Sequence, residues 1–335
     1  MKTVFVFGAT GTLGAYTALY LRALGYNTIA VGRRGSDNGF FAESQIPYYS
    51  VDITKKSDFA KLPESTDATV VHFAGVMPAA MQGYRPQDYI DSVVTGTHNV
   101  LKFCRTNAAE RIVFSQTHSD SSHLQGSTKP IPSDIIRSFP PRGDHAVYAI
   151  CKNAAVDLIE HFHTEFGLKR FILRLPTIYA YTPNPYFYVD GVKRMMAYRF
   201  LIERARKAEP VEIWGNPGQT KEIVYIMDFC QIVQGALTAA VPGGIYNVGR
   251  GIGVTLEEQI RGIVEVFSPS GHLSSIVYRP DKPDARQFIH DVSKTVNELG
   301  YVPQYDYLTG LRHFKAELEQ NRFRQLWGDP PEISV

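Results

Sequence analysis

Three glycines, each three positions from the next, directly follow a short apolar run near the start of the chain. The run is Thr3–Phe7, the glycines are Gly8, Gly11 and Gly14, and an apolar pattern of helical period continues to Gly25. This order predicts a buried strand, a tight turn and the start of a helix. Because glycine has no Cβ, the amides of such a turn and the positive end of the helix can approach a pyrophosphate closely, although the same turn also forms without a ligand.

The position of this turn favours the ligand, since a glycine turn between a strand and a helix is where dinucleotide-binding folds hold the pyrophosphate. The spacing, G-x-x-G-x-x-G, differs from the common G-x-G-x-x-G fingerprint. We therefore predict a dinucleotide-binding turn after the first strand. The residues expected at the cofactor here are Gly8, Thr10, Gly11, Thr12, Leu13 and Gly14.

The composition is that of an ordinary globular protein. Of the 335 residues, 44% are hydrophobic and 20% are charged, and the formal net charge is +2. This balance gives no reason to expect a nucleic acid or a membrane surface as a partner, and no apolar run approaches the ~20 residues that span a membrane. We expect no targeting segment, because the first strand begins after a single lysine. The widely spaced Cys104, Cys151 and Cys230 favour a reducing cytoplasm.

Two arginines follow the second predicted strand, Asn27–Gly32. In a dinucleotide-binding fold this strand end meets the adenosine ribose, where a carboxylate selects a free 2′-hydroxyl and an arginine accommodates a 2′-phosphate. Arg33 and Arg34 stand here without an acid, and a guanidinium suits a phosphate and stacks on adenine. We therefore predict NADP(H) as the cofactor, with NAD(H) as the alternative. The alternative interpretation is that the two arginines form a solvated basic turn without a ligand.

Three further predicted strands continue the alternation with helices. The third, Tyr48–Val51, leads to Asp52 and Ile53, which lie either at the adenine or at a plain strand-end turn. The fourth ends in residues across which a cofactor can lie, Ala74, Gly75 and Val76. The fifth is Arg111–Thr117. Strands that alternate with helices in this way predict an α/β fold with a parallel, doubly wound sheet.

A segment rich in serine, glycine and proline, His118–Pro141, has no periodicity and is predicted to be a long loop. Loops of this length are usually functional or mobile. The loop contains His118 and His123, but no third ligand stands at a suitable spacing, so we predict no metal site.

Tyr148 and Lys152 lie about one helical turn apart near the start of a helix that is predicted to run to Phe166. They therefore share one helical face. The pKa of a free phenol, ~10, is too high for a base at neutral pH, and an ammonium beside it stabilises the phenolate. Such a pair also arises by chance on helix surfaces. It gains meaning here because it follows a glycine turn and a strand that ends in hydroxyl residues.

Together these motifs resemble the short-chain dehydrogenase/reductase superfamily, specifically its extended branch of NAD-dependent nucleotide-sugar epimerases, dehydratases and reductases. The resemblance rests first on the glycine turn, the strand end Phe114–Thr117 and the Tyr148/Lys152 pair. Further matching segments are Arg174–Pro176, Val211–Asn216, Lys221–Asp228, Tyr246–Gly249 and Arg279–Asp281. The matches span essentially the whole chain, and they specify the branch rather than one reaction.

The resemblance implies roles for individual residues. Those implied in catalysis are Thr117, Tyr148 and Lys152, with Ser115 as the alternative to Thr117. In relatives the tyrosine is the general acid/base, the lysine holds the nicotinamide ribose and lowers the pKa of the phenol, and the hydroxyl residue bonds the reacting oxygen. The residues implied in cofactor binding are Tyr148, Lys152 and Pro176, and those implied in substrate binding are His118, Thr177, Lys221 and Arg279. Relatives commonly have arginine where this chain has Lys221, which lacks the bidentate fork, so a solvated lysine is the alternative there.

The implied reaction is hydride transfer at one carbon of a nucleotide-linked sugar, and an NAD(P)-dependent epimerase/oxidoreductase is the leading expectation. The alternative is an NADPH-dependent reductase of a keto-sugar nucleotide or another carbonyl, which the two arginines favour. A dehydratase is less expected, because His118-Ser119-Asp120 replaces the acid pair of family dehydratases. A non-catalytic NADP-binding regulator would have no need of the catalytic residues. His118 is either a proton donor near the substrate or a solvent-facing loop residue.

The resemblance also implies two lobes that interleave in sequence. Residues 1–176, with a returning segment at about 225–250, would bind the cofactor, and residues 177–224 and 251–335 would form the substrate-binding lobe. Within the second lobe, Tyr179–Tyr188 would stack on the substrate or pack between the lobes, and Val192–Lys207 is predicted to be a helix. Relatives pair two helices across a dimer interface, so a homodimer is expected.

Overall fold

A seven-stranded parallel sheet forms the centre of the computed structural model, which describes residues 2–78, 83–189 and 191–331. The strands of the described structure, in the central sheet and in the smaller sheets, are β1 (Thr3–Phe7), β2 (Asn27–Gly32), β3 (Tyr48–Ser50), β4 (Ala68–His72), β5 (Arg111–Thr117), β6 (Lys169–Leu175), β7 (Ile178–Tyr179), β8 (Tyr186–Val189), β9 (Val192–Met195), β10 (Val211–Trp214), β11 (Thr220–Lys221), β12 (Val224–Tyr225), β13 (Gly243–Asn247), β14 (Val254–Thr255) and β15 (Ile276–Arg279). The central sheet has the order β13-β6-β5-β4-β1-β2-β3. The predicted doubly wound α/β fold is therefore confirmed.

Helices cover both faces of this sheet. The α-helices are α1 (Thr12–Ala23), α2 (Pro86–Tyr89), α3 (Gly96–Thr106), α4 (Asp144–Phe166), α5 (Ala197–Arg206), α6 (Ile226–Thr238), α7 (Leu256–Phe267), α8 (Ser293–Leu299), α9 (Tyr307–Gln320) and α10 (Arg324–Trp327). A π-helical stretch, Ile90–Thr95, joins α2 to α3, and the predicted long loop begins with a 3₁₀ helix, His118–Leu124. Within the described ranges, no helix has the length and apolar character that a membrane span requires.

The first strand shows why the sheet is covered on both sides. Val4 and Val6 belong to one apolar cluster, to which α1 and α6 also contribute, whereas Phe5 and Phe7 belong to a second cluster, shared with α3 and α4. All four side chains are fully buried. Because successive strand residues point to opposite faces, a strand between two helical layers must be apolar throughout.

The strand order places a ligand crevice beside β1. The chain builds β2 and β3 on one side of β1 and then crosses to build β4, β5 and β6 on the other. In an open parallel sheet, ligands bind where the order reverses in this way, at the carboxyl ends of the strands. Gly8 follows β1 and Phe73 follows β4, so the predicted glycine turn lies at this crevice.

The predicted helix Val192–Lys207 is wrong in its first part. Val192–Met195 is instead β9, which pairs in antiparallel register with β8, and the helix α5 begins only at Ala197. The aromatic run of β8 supplies side chains that suit a pleated surface, and Gly191 adopts a φ of +78° in the connecting segment. Local pairing with this run therefore overrides the helical periodicity.

The second half of the chain adds small two-stranded sheets and returns once to the centre. The small sheets are β10–β15, β11–β14, β12–β7 and β8–β9, and β13 pairs with β6 in the central sheet. The division into two lobes stays a prediction. Residues 1, 79–82, 190 and 332–335 of its ranges lie outside the described residues.

Candidate active site

The glycine turn owes two of its glycines to its own backbone packing. Gly8 has a φ of +87°, and a Cβ on Gly14 would lie 2.2 Å from the carbonyl oxygen of Gly8. A Cβ on Gly11 would meet only that same oxygen, at 3.3 Å. The first and third glycines therefore shape the turn, while Gly11 is exposed at its tip.

Helix α1 begins at this tip without a side-chain cap. Its N-cap residue is Gly11, no acidic residue stands in its first turn, and Thr12 and Leu13 are half-buried. The first amides of a helix have no partner within the helix, and the helix dipole favours negative charge there. An uncapped start of this kind fits a pyrophosphate, so the residues present suit a dinucleotide.

The end of β4 lies against the glycine turn. A Cβ on Gly8 would lie 2.7 Å from the backbone nitrogen of Ala74. Gly75 is exposed with a φ of +153°, and the backbone N–H of Val76 donates to Ser92 Oγ at 3.1 Å. The structure thus brings the predicted cofactor residues of β1 and β4 together at the crevice.

At the end of β2, Gly32 stands where an acid would select the ribose hydroxyl, and its surroundings are close. A Cβ on Gly32 would lie 2.9 Å from Thr10 Cγ2 and 3.0 Å from the Tyr48 hydroxyl. Arg33 is exposed beyond this point. Arg34 is also exposed, but its Nη1 donates to the Leu326 carbonyl at 2.5 Å. The two arginines therefore differ in their surroundings, which the sequence did not indicate.

Asp52 and Ile53 have structural roles where β3 ends. The Asp52 carboxylate accepts hydrogen bonds from the backbone and hydroxyl groups of Thr54, at 3.1 and 2.9 Å. Ile53 is 7% exposed, and a Cβ on Gly96 would lie 2.6 Å from its Cδ1. These contacts match the plain strand-end turn, one of the two interpretations drawn from the sequence.

The side chain of Lys152 joins α4 to the end of β5. Its Nζ donates to the carbonyl oxygen of Ser115 at 2.7 Å and to Ser115 Oγ at 3.2 Å. The same Nζ lies 4.3 Å from the centre of the Phe114 ring and 5.9 Å from that of Tyr148. The lysine is only 4% exposed. The structure therefore brings Ser115, Tyr148 and Lys152 together at the carboxyl edge of the sheet.

Burial dominates the proton equilibria of this pair. It raises the pKa of the Tyr148 phenol above its ordinary value, which is opposite to the lowering that the sequence suggested. It also lowers the pKa of Lys152 from 10.5 to about 7. A lysine that is only partly charged at neutral pH stabilises a phenolate less than a full ammonium does. The phenol is therefore protonated at neutral pH.

The lowered pKa of Lys152 should make stability depend on pH. Between about pH 7 and 10.5 the unfolded chain keeps a proton that the folded chain releases, so this residue makes the free energy of unfolding rise with pH. We expect the stability of Lys152→Met, relative to the native chain, to fall by roughly 2–3 kcal/mol from pH 6 to pH 9. Urea denaturation at both pH values measures this. A stability difference that does not change with pH would contradict it.

Thr117 lies at the end of β5, and its hydroxyl caps the following 3₁₀ helix. Thr117 Oγ1 accepts from the backbone N–H of Ser119 at 3.1 Å and donates to Ser119 Oγ at 3.0 Å. Sequence reasoning missed the buried Gln116 beside it, whose amide donates to Asn153 Oδ1 of α4 at 2.8 Å and accepts from the Thr117 N–H. The strand-end motif contains this glutamine but gave it no role, and in the structure it ties the strand end to the helix that carries Tyr148.

His118 is half-buried, and neighbouring side chains cover part of its ring. Its ring stacks on Phe288, with centres 5.3 Å apart and planes at 14°, and its Nδ1 lies 3.1 Å from Gln125 Nε2. Burial, with the charge of Lys221 as a further cause, lowers the pKa of His118 to about 4. The ring is therefore neutral at neutral pH, a form suited to hydrogen bonding rather than to supplying a full proton.

Lys221 joins the same neighbourhood through the backbone. It forms an isolated bridge with Phe288, which stacks on His118, and it pairs with Val254 in β11–β14. Burial lowers the pKa of Lys221. The adjacent Glu222 is fully buried and accepts three backbone N–H groups. The structure thus brings His118 and Lys221 into one neighbourhood around Phe288, and their role at a substrate stays a prediction.

The remaining predicted ligand residues are more dispersed. Pro176 is buried after β6, and the Thr177 carbonyl receives a long hydrogen bond of 3.5 Å from Val224 N–H. Arg279 ends β15 on a separate small sheet, where Glu212 and Asp281 pair with it at 3.0 and 3.1 Å. Two carboxylates already surround Arg279, so it would have to exchange partners to hold a diphosphate.

Metal-binding and thiol chemistry find no support in the described ranges. No group of three or more His, Cys, Asp or Glu side chains there could hold a metal ion. Cys104, Cys151 and Cys230 are buried free thiols, and burial raises the pKa of each. The crevice at the glycine turn and the Tyr148/Lys152 pair are therefore the features that define the candidate site.

Comparison with known families identifies the family of the chain. The model of the NAD dependent epimerase/dehydratase family matches residues 4–249, which include the glycine turn and the Tyr148/Lys152 pair. The chain belongs to this family. This epimerase/dehydratase-family chain is accordingly an NAD(P)-dependent enzyme of the epimerase or oxidoreductase type.

Curated relatives of the enzyme carry out more than one reaction. UDP-glucose 4-epimerase 4 of Oryza sativa subsp. japonica is 25% identical over 331 residues, which cover 91% of this chain and 86% of that protein. The probable GDP-L-fucose synthase 1 of the same plant is 24% identical over 317 residues, which cover 92% and 89%. Identity at this level supports the family and leaves the reaction open.

Solved structures of similar fold cover nearly the whole enzyme. The UDP-glucose 4-epimerase of Thermotoga maritima, solved with UDP-glucose, has a TM-score of 0.74 at 22% identity and covers 95% of this chain and 99% of its own. The UDP-glucuronic acid 4-epimerase of Bacillus cereus, solved with NAD, has a TM-score of 0.70 at 19% identity and covers 96% and 99%. These likenesses establish the fold of the enzyme.

Proposed function

We propose that this enzyme exchanges a hydride between a nicotinamide cofactor and one carbon of a nucleotide-linked sugar, and that it acts as an epimerase. The observation that carries the proposal is the placement of Lys152, which links Ser115 at the end of β5 to the Tyr148 ring at the edge of the sheet where the glycine turn lies. The 4-epimerases of UDP-sugars among the relatives support the substrate class.

In the proposed reaction the protein's own groups move protons and hold the reacting oxygen. Tyr148 would take the proton of the sugar hydroxyl as a phenolate and return it to the keto oxygen as a phenol. Its raised pKa favours the donating phenol, so the phenolate that starts the oxidation is the minor form at neutral pH. Thr117 would bond the same oxygen, with Ser115 as the alternative. The cofactor, when bound, supplies the hydride acceptor and donor at its nicotinamide ring. In an epimerase the hydride returns to the opposite face of the sugar.

The substrate would lie on the side of the crevice that His118 and Lys221 share. The Lys221 ammonium would attract the diphosphate as a point charge. The neutral His118 ring, held flat against Phe288, would offer a hydrogen bond to a sugar hydroxyl. Thr177 and Arg279 stay predicted substrate residues, and Arg279 would reach the diphosphate only by leaving Glu212 or Asp281.

We further propose NADP(H) as the preferred cofactor. Similar solved structures hold NAD, which is a property of those proteins. In this chain Gly32 stands at the end of β2 in place of a ribose-binding acid, and the exposed Arg33 stands next to it. A charge-assisted hydrogen bond contributes about 1.5–3 kcal/mol. The combination of Gly32 and Arg33 therefore suits a 2′-phosphate.

Replacing Arg33 tests the cofactor preference. We expect Arg33→Leu to weaken NADP⁺ binding by about 10- to 100-fold, because the guanidinium that pairs with the 2′-phosphate is lost. NAD⁺ lacks that phosphate, so its affinity should stay within about twofold and serves as the control. Calorimetric titration with both cofactors measures the two affinities. An equal loss of affinity for NADP⁺ and NAD⁺ would contradict a role for Arg33 in selecting the 2′-phosphate.

A panel of sugar nucleotides tests the reaction. The purified protein is incubated with each sugar nucleotide, with and without added NADPH, while the nicotinamide absorbance and the stereochemistry of the product are followed. Interconversion of epimers without net cofactor turnover is the expected result. Absence of any epimer pair across UDP- and GDP-linked sugars would refute the epimerase.

A keto-sugar nucleotide reductase is the second candidate, because the ribose end of the site favours the phosphorylated cofactor that commonly serves as a free reductant. GDP-L-fucose synthases also stand among the curated relatives. Stoichiometric loss of NADPH in the same panel would select the reductase and eliminate the epimerase. Loss of water from the sugar would select a dehydratase, and cofactor binding without turnover of any substrate would select a regulator.

A further inference from the structure

The last described helix, α10, lies beside the glycine turn and the loop after β2, where the adenosine end of a cofactor is expected. Together with the preceding Phe323 it forms the segment Phe323–Trp327, which we call the C-terminal clasp. Phe323 and Leu326 of the clasp are 0% and 1% exposed, so the segment is anchored in the core. Its polar groups bond to two segments that the cofactor is expected to touch, the glycine turn and the loop after β2.

The contact with the glycine turn is made by the indole of Trp327. Its Nε1 donates to the backbone carbonyl of Thr10 at 2.9 Å. The indole stacks on Phe323 with ring centres 4.4 Å apart, and Phe323 in turn lies 4.5 Å from Tyr16 of α1. Since Tyr16 belongs to the helix that starts at the turn, the clasp holds both the middle of the turn and that helix.

The contact with the loop after β2 involves three further hydrogen bonds. Arg34 Nη1 donates to the Leu326 carbonyl at 2.5 Å. Asn38 Nδ2 donates to the Gln325 carbonyl at 3.0 Å, and Gln325 Nε2 donates back to the Asn38 carbonyl at 2.7 Å. A reciprocal pair of this kind fixes both the distance and the orientation of the two segments.

We propose that the C-terminal clasp is part of the cofactor-binding site, in which Trp327 positions the glycine turn and the Leu326 carbonyl positions Arg34 for the adenosine half of the cofactor. Trp327 and Leu326 are positioning residues in this scheme, since they act through Thr10 and Arg34. Their role does not depend on which sugar nucleotide the enzyme uses.

The contact between Arg34 and the Leu326 carbonyl orients the guanidinium without preventing it from binding a phosphate. A backbone carbonyl accepts a hydrogen bond without neutralising the guanidinium, and a guanidinium has five N–H donors. One donor is used by Leu326, so the charge and other N–H groups remain to meet a phosphate. This part of the inference rests on the proposed preference for NADP(H), whereas the Trp327 contact would serve NAD(H) equally.

A single-indole variant gives a direct test, because the chain contains only two tryptophans, Trp214 and Trp327. Trp214 is 51% exposed, and its Nε1 donates to Glu212 rather than to the cofactor crevice. In Trp214→Phe all indole emission therefore comes from the clasp. We expect NAD⁺ and NADP⁺ each to change the emission of this variant with saturation at the calorimetric affinity. Emission that stays constant when calorimetry shows saturation would overturn the proposal.

Measurements of cofactor affinity provide a second test of the role of Trp327. Trp327→Phe keeps an aromatic ring but loses the N–H donor and the larger indole surface, and we expect it to weaken the binding of both cofactors by about three- to tenfold. Trp214→Phe, the matched control, should bind both as the native chain does. A folded Trp327→Phe with unchanged affinity for both would overturn the role of Trp327. If Trp327→Phe does not fold, the emission of Trp214→Phe still tests whether the clasp responds to the cofactor.

Replacing Arg34 separates the clasp from the cofactor preference. We expect Arg34→Leu to weaken NADP⁺ by tenfold or more and NAD⁺ by about threefold or less. Equal affinities for NADP⁺ in Arg34→Leu and the native chain would overturn the proposed role of Arg34 in cofactor binding, whatever the result for Trp327. An enzyme that turns over no sugar nucleotide would refute the proposed function and leave these binding measurements valid.

Discussion

Tyr148→Phe should lower kcat by about 10²- to 10⁴-fold while the protein stays folded and binds its cofactor normally. This is the contribution expected of a positioned general acid/base. The substitution removes one hydroxyl and leaves the ring, which packs edge to face against Tyr89 with centres 5.9 Å apart. Steady-state kinetics, thermal denaturation and calorimetric titration of the cofactor measure the three properties.

Tyr84→Phe is the matched control, since it removes a phenolic hydroxyl from a side chain that is 61% exposed. Its kcat should equal that of the native enzyme. Full activity in a folded Tyr148→Phe would show that another group transfers the proton, and the proposed mechanism would then be wrong.

Asp120→Ala should produce the largest loss of stability. Asp120 and Arg174 form an ion pair in which both side chains are 0% exposed, with Arg174 Nε 2.9 and 3.1 Å from the two carboxylate oxygens. Removing one partner of a buried pair leaves an uncompensated charge, at a cost of about 3–5 kcal/mol. We expect a decrease of this size in the free energy of unfolding, measured by urea denaturation.

The control is an exposed ion pair, Arg312–Glu265, whose side chains are 61% and 55% exposed. Glu265→Ala should cost less than about 1 kcal/mol, because solvent screens such a pair. A loss for Asp120→Ala no larger than that for Glu265→Ala would show that Arg174 finds other partners. Its Nη1 already donates to the Ser133 carbonyl and to Asn247 Oδ1, both at 2.9 Å.

The features that sequence predicted well are those fixed by short-range geometry. The strand, turn and helix at Gly8–Gly14 follow from periodicity and from steric limits within a few residues. Tyr148 and Lys152 share a face because one helix carries both, so their spacing determines their placement. The crevice followed from strand alternation, since parallel strands direct their carboxyl ends to one edge.

The features that sequence did not predict depend on contacts between distant segments. Asp120 and Arg174 are 54 positions apart, and Trp327 and Thr10 are 317 apart. Neither contact leaves a periodic or local signal. The same limitation explains the pKa of Tyr148, because its direction depends on burial rather than on the neighbouring lysine.

Several properties stay predictions. Cytoplasmic location and a homodimer were inferred from composition and from the resemblance. The roles of Thr117, Thr177 and Arg279 are likewise proposals, and each has competing contacts in the structure, as Thr117 does with Ser119. Substitution of these residues in the sugar-nucleotide assay would rank them.

The central claim is that a nicotinamide and a sugar nucleotide exchange a hydride beside Tyr148, and rapid mixing tests it most directly. Protein loaded with oxidised cofactor is mixed with the sugar nucleotide that the panel identifies, and the absorbance of reduced nicotinamide is followed through a single turnover. We predict a transient rise in the native enzyme that Tyr148→Phe slows by at least about 100-fold. Epimerisation of the sugar without any reduced nicotinamide in the native enzyme would contradict the account.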